Sequence, residues 1–116
     1  MSLKEVLKDK PAYAEVFVVT KAGRVARLEE LTSLEEIDEN PNMEDVKVAA
    51  ERYYENLAAN YPDTRMLSLG LPALELSFKD AAEHIKANTD VGKFLVEAYR
   101  DFLSFVHKRL SGELEW

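Results

Sequence analysis

The stretch AYAEVFVVTKAGRVARL, residues 12–28, constrains the fold more than any other part of the chain. β-Branched and aromatic residues dominate its first half, Lys21-Ala22-Gly23 supplies a short glycine turn, and RVARL follows. This pattern predicts a β-hairpin over about residues 13–28. Phe17 and Val19 fall on one face of its first strand and Val16 and Val18 on the other. A strand apolar on both faces is expected to be covered from both sides.

Most of the remaining sequence reads as helix. Ser2-Leu3-Lys4-Glu5 and Ser33-Leu34-Glu35-Glu36 are capping boxes, in which a serine oxygen and a glutamate carboxylate satisfy free N–H groups at a helix start. They predict a short helix to about Asp9, stopping before Pro11, and another near 34–39. Asn42 precedes a helical pattern through Val46, Ala49, Ala50, Tyr53, Tyr54, Leu57 and Ala58, giving a long helix at about 43–60. Residues 66–78, MLSLGLPALELSF, hold one charge, Glu75. They read as a strand at 66–69, a Gly70/Pro72 bend and a second short strand, or as a buried connection. Ser77 with Asp80 opens a helix of about ten residues. Thr89 and Asp90 start the last helix, from 90 to about 111, with Gly112 expected at its end. The fold class is therefore α+β. A small antiparallel sheet nucleated by the hairpin packs against a long central helix and a long C-terminal helix, in one domain of 116 residues.

Charge is distributed unevenly. Residues 29–45 contain eight of the 22 acids and no Lys or Arg, so 14 acids face 15 bases elsewhere. The net charge of −7 thus belongs to one segment. Glu35, Glu36, Glu44 and Asp45 sit where a helix dipole favours negative charge. The segment also reads as a solvated patch suited to a basic protein partner, formed by Glu29, Glu30, Glu35, Glu36, Asp38 and Glu39. With a pI near 4.9 and no clustered basic face, duplex nucleic acid is not the expected partner. The chain has no cysteine, which excludes disulfides, thiolate metal sites and thiol nucleophiles. Neither a signal peptide nor an apolar run of about 20 residues is present, so a cytoplasmic protein off the membrane is expected.

No cofactor is expected, since Gly23, Gly70, Gly92 and Gly112 are too dispersed for a phosphate-cradling loop. Ser68 with Gly70 falls short of Gly-x-Ser-x-Gly because Met66 occupies the first glycine position. Asp38, Asn40, Asn42 and Glu44 alternate like calcium ligands. Met43 stands where such a loop needs Gly, however, and Ala49 where it needs Glu. His84, one turn after Asp80, suits an i,i+4 hydrogen bond better than a metal site in a chain with two histidines. Tyr53, Tyr54 and Tyr61 read as core or as the lining of a small-ligand pocket between sheet and helices. Trp116 reads as a frayed end or an anchor.

Arg100 and His107 lie seven residues apart on the last helix, in RDFLSFVH. Over these eight residues the spacing resembles the loosest form of the Arg-x4–6-His motif of HEPN ribonucleases. The resemblance implies that Arg100 would hold phosphate and His107 would do acid–base work on a 2′-hydroxyl. That family is all-helical, whereas the hairpin requires a sheet. The reading adopted is two polar residues on the rim of a core helix, with no catalytic residue.

On that helix Phe94, Leu95, Val96, Ala98, Tyr99, Phe102, Leu103, Phe105, Val106 and Leu110 span an arc of about 200°. This is wider than one packing face needs. A homodimer is the expected use of the excess, with Phe94, Phe102, Phe105 and Val106 as contacts. Arg109, mid-arc, must either snorkel past the apolar face or pair with an acid across the interface. The expected function is a non-enzymatic protein–protein interaction module of adaptor, inhibitor, immunity or assembly-factor type. It would present the acidic segment and self-associate through its C-terminal helix, and ribonuclease and small-ligand readings are the alternatives.

Overall fold

The structure is a computed structural model that describes residues 3–62, 65–67 and 75–114. Helix α1 (Leu3–Asp9) stops where the sequence predicts. Ser2, the expected cap, and Trp116 lie outside the described residues. Pro11 then opens α2 (Pro11–Ala14), a single turn at the point where the hairpin was expected to begin. A proline at the first helical position loses no hydrogen bond, because that N–H has no intrahelical partner. The hairpin is correspondingly shorter, with β1 (Phe17–Val19) antiparallel to β2 (Val25–Arg27) and Val18 opposite Ala26. Its turn is closed by Gly23 N–H donating to Thr20 O (2.9 Å) and Thr20 N–H to Arg24 O (2.8 Å). Gly23 takes φ +81°, the left-handed position that a three-residue hairpin loop assigns to glycine.

The second capping box forms as expected. The Ser33 hydroxyl accepts from Glu35 N–H, and the Glu36 carboxylate accepts from Ser33 N–H (3.0 Å). The helix it opens is nevertheless a single 3-10 turn, Leu34–Glu36, where one running to about 39 was predicted. The open edge of β1 competes for the following residues. Ile37 bridges to Thr20, Lys21 N–H donates to Glu36 O (2.8 Å), and Asp38 N–H donates to Val19 O (2.9 Å). Those backbone groups cannot serve a strand edge and a helix at once.

Asn42 caps α3 (Met43–Asn60) by accepting from Asp45 N–H at 2.9 Å. Two further strands, β3 (Arg65–Leu67) and β4 (Glu75–Ser77), pair antiparallel with each other and not with the first hairpin. The predicted Gly70/Pro72 bend lies outside the described residues. Ser77 caps α4 (Phe78–Ala87), and α5 (Asp90–Leu114) starts with the Thr89 hydroxyl accepting from Gly92 N–H (3.0 Å). Gly112 does not end α5. Without a left-handed φ it stays inside the helix, where glycine costs only about 1 kcal/mol relative to alanine.

β1 separates two cores, as its two apolar faces require. Val16 and Val18 join Leu3, Val6, Leu28, Leu31, Val106 and Leu110 on one side. On the other, Val19 joins Val46, Ala49, Ala50, Ala81, Ile85, Leu95, Val96 and Tyr99. Among the described elements α5 contributes buried residues to both, Val106 and Leu110 to the first and Leu95, Val96 and Tyr99 to the second. Small residues bring α3, α4 and α5 close together, and Gly92 is the extreme case. A Cβ there would collide with the main chain of His84 and Ile85, so α5 meets α4 at a distance only glycine permits.

Candidate functional site

The strand-edge hydrogen bonds of residues 36–38 and the Asn42 cap fix residues 37–41 at both ends. This acidic loop is thereby held opposite α5. Between them lies a cleft of about 390 Å³, within the range of natural ligand sites. Val18, Val19, Ile37, Leu103 and Val106 give it an apolar floor. Its rim carries Asp38, Glu39 and Asn40 from the loop, and Arg100, Asp101, Ser104, His107 and Lys108 from α5.

Arg100 and His107 therefore line one cavity, but each has its own partner. Arg100 Nη1 donates to Met43 Sδ at 3.7 Å. His107 Nδ1 lies 3.6 Å from Glu39 Oε1, with the imidazole mostly covered and the carboxylate mostly exposed. The seven-residue spacing shows that the two share a helix face. It cannot show that the acidic loop faces them, because that depends on the unexpected pairing of Ile37 with β1.

The acidic patch divides into two halves. Glu29 and Glu30 are held by Arg27 at 3.2 and 3.4 Å. Glu36 accepts from the N–H groups of Thr32 and Ser33 and from the Thr32 hydroxyl, which hold its carboxyl below the usual carboxylate range. These three acids serve the local fold. Asp38 accepts from Asn40 N–H and, with Glu39, faces the cleft, while Glu35 is exposed.

The proposed contacts on α5 also separate. Phe105 is 53% exposed, Arg109 is exposed, and Phe94 and Phe102 are half-buried. Val106, at 1% exposure, packs into the chain's own core and adds to the cleft floor, away from the exposed side of Phe105.

His84 does not pair with Asp80. Its Nδ1 lies 2.9 Å from Thr89 Oγ1, fastening the α4–α5 connection, because the left-handed Asn88 folds the chain back over that end of α4. Among the described residues no three His, Cys, Asp or Glu side chains are grouped to hold a metal ion. Likewise, no described helix is long and apolar enough to cross a membrane. Tyr53 and Tyr54 pack with Tyr99, Phe102 and Phe78 and do not line the cleft. Tyr99 Oη donates to Phe17 O at 2.6 Å, tying α5 to β1 beneath the site.

Comparison with protein-family models, curated proteins and solved structures gave no match.

Proposed function

We propose that this protein is a non-enzymatic interaction module that receives a basic segment of a partner protein in the cleft between residues 37–41 and α5. The observation that carries this reading is an apolar floor edged by Asp38, Glu39 and Asp101. All of the net negative charge lies in the sequence segment that supplies the loop. A partner's apolar side chain would take the floor and its Lys or Arg groups would meet the acids. Arg100 and Lys108 on the α5 rim would donate to main-chain carbonyls or to an acid of the partner. A chain this acidic also steers basic partners from a distance.

Selection from a random peptide library, followed by amide-shift mapping on the intact protein, tests the proposal without a presumed partner. The expected result is a basic consensus with one apolar anchor. Binding should perturb Ile37, Asn40, Ser104 and His107, weaken with salt, and weaken further in Asp38→Asn and Glu39→Gln. Acidic or uncharged consensus peptides, perturbations elsewhere, or no selected binders would overturn it.

One observation favours a second reading: Arg100 and His107 open into the same cavity. As a ribonuclease the chain would hold phosphate with Arg100 while His107 exchanges the 2′-hydroxyl proton. Three carboxylates on the same rim oppose a polyanion, which ranks this reading second. RNA cleavage that disappears in Arg100→Ala and His107→Ala, with the amide spectrum otherwise intact, would reverse the order.

A further inference from the structure

The outward face of α5 carries a sequence pattern that is symmetric about Phe105. Four residues before it stands Asp101 and four after it Arg109; seven before stands Ala98 and seven after Gly112. All five are exposed. At 100° per residue they form one stripe, with Asp101 about 40° to one side of Phe105 and Arg109 about 40° to the other. Neither charge has an ion-pair partner among the described residues.

We infer that this stripe binds a second copy of the same chain, with the two α5 helices antiparallel and crossing at Phe105. A two-fold axis through that point maps each residue before Phe105 onto the height of the residue equally far after it. Asp101 of each copy therefore lies at the height of Arg109 of the other, about 6 Å along the helix on either side of the crossing, within reach across the seam for a side chain as long as arginine. Ala98 of each copy lies at the height of Gly112 of the other, so the outer ends of the stripe carry no bulk to hold the helices apart. The two Phe105 rings meet at the centre, removing from water the most exposed large apolar side chain among the described residues. Half-buried Phe102 lies beside the incoming Arg109, whose guanidinium can rest on its ring.

A parallel pairing is ruled out by the same charges. It would set Asp101 against Asp101 and Arg109 against Arg109, and like charges across an interface are repulsive. The charge pattern thus selects both the occupant and its direction. It also accounts for Arg109, a cation in an apolar stripe, and for the width of the apolar arc, which serves two partners. Contact between one helix and its copy falls among small interfaces, which are weak and transient.

Sedimentation analysis over a concentration series of about 10 µM to 1 mM tests the inference, with charge exchange as the control for folding. The wild-type chain is expected to dimerise reversibly. Asp101→Arg and Arg109→Asp are each expected to weaken the dimer at least tenfold. The double variant, and an equimolar mixture of the two single variants, are expected to restore it, because both recreate opposite-charge pairs in the antiparallel arrangement. Restoration by the double variant excludes misfolding, and a mixture no tighter than the wild type excludes a parallel pair, in which the mixture alone would set unlike charges opposite each other. Phe105→Cys, in a chain with no native cysteine, is expected to form a disulfide-linked dimer on oxidation. A wild-type chain that stays monomeric throughout would overturn the inference. So would a dimer unchanged in both single variants, or single-variant losses that neither the double variant nor the mixture recovers.

Discussion

On α5 the inward face places Leu95, Val96, Tyr99, Val106 and Leu110 at 0–7% exposure in the two cores, whereas the outward face leaves Phe105 at 53% between two charges that have no ion-pair partner among the described residues. Both faces contribute to a single wide apolar arc when the helix is read as a wheel. They differ in what surrounds them: α1, α3 and α4 close over the inward face, and no described element closes over Phe105. Hydrophobic residues at helical spacing therefore report burial only where another element is available to bury them. The inward stripe holds the fold together, and the outward stripe is left facing solvent in the single chain.

The largest effect should come from the inward face. Leu110→Ala removes a fully buried side chain from the core that joins α1, β1 and α5. The loss of transfer free energy together with the cavity is expected to cost about 2–5 kcal/mol, read as a lower denaturation midpoint. A smaller loss would mean that the C-terminal turns of α5 are not part of the cooperative core. Tyr99→Phe comes next. It leaves the Phe17 carbonyl without its 2.6 Å donor beneath the cleft floor, at a cost of about 1–2 kcal/mol in chemical denaturation.

A third effect is a pH dependence on the same inward side. Burial, with Tyr53 beside it, pushes the Tyr54 phenol up to about 12, and burial drives Tyr99 upward as well. A phenol that ionises near pH 10 when unfolded and higher when folded favours the fold only while it stays neutral. Stability from these groups is therefore complete below about pH 10 and is lost as pH rises through 10 toward 12. Alkaline denaturation monitored by circular dichroism should show that fall, and Tyr54→Phe should flatten it. A stability curve already falling between pH 8 and 9 would show that another group controls the transition.

How much of this was legible in the sequence depends on how local each cause is. Asn42, Ser77 and Ser33 act on N–H groups within three residues, so their caps and the start of α3 could be read directly. The two-sided burial of β1 was legible because alternation fixes which residues share a face. The short 34–36 turn was not, because it ends when Ile37 pairs with Thr20 across 17 residues. The cleft was hidden for the same reason. Arg100, His107, Asp38 and Glu39 were each recognisable as polar residues of interest, but their convergence depends on that strand-edge bridge. The packing of Val106 with α1 and β1 was not legible either, because its position on the helix wheel does not show what closes over it.

The smallest expected effect is at Phe105, and it gives the sharpest contrast with Leu110. Phe105→Ala removes a larger side chain than Leu110→Ala does, from the same helix and only five residues away. Because Phe105 contacts mainly solvent in the single chain, its loss should change unfolding free energy at low protein concentration by no more than about 0.5 kcal/mol. Alanine's better helix propensity offsets part of even that. At high concentration the wild-type chain should gain stability by mass action, as any species bound only to the native state provides, and the variant should not. Two denaturation series, one dilute and one concentrated, separate these contributions. A dilute-limit loss above about 1 kcal/mol would show that Phe105 is packed within its own chain, and the distinction between the two faces of α5 would then fail.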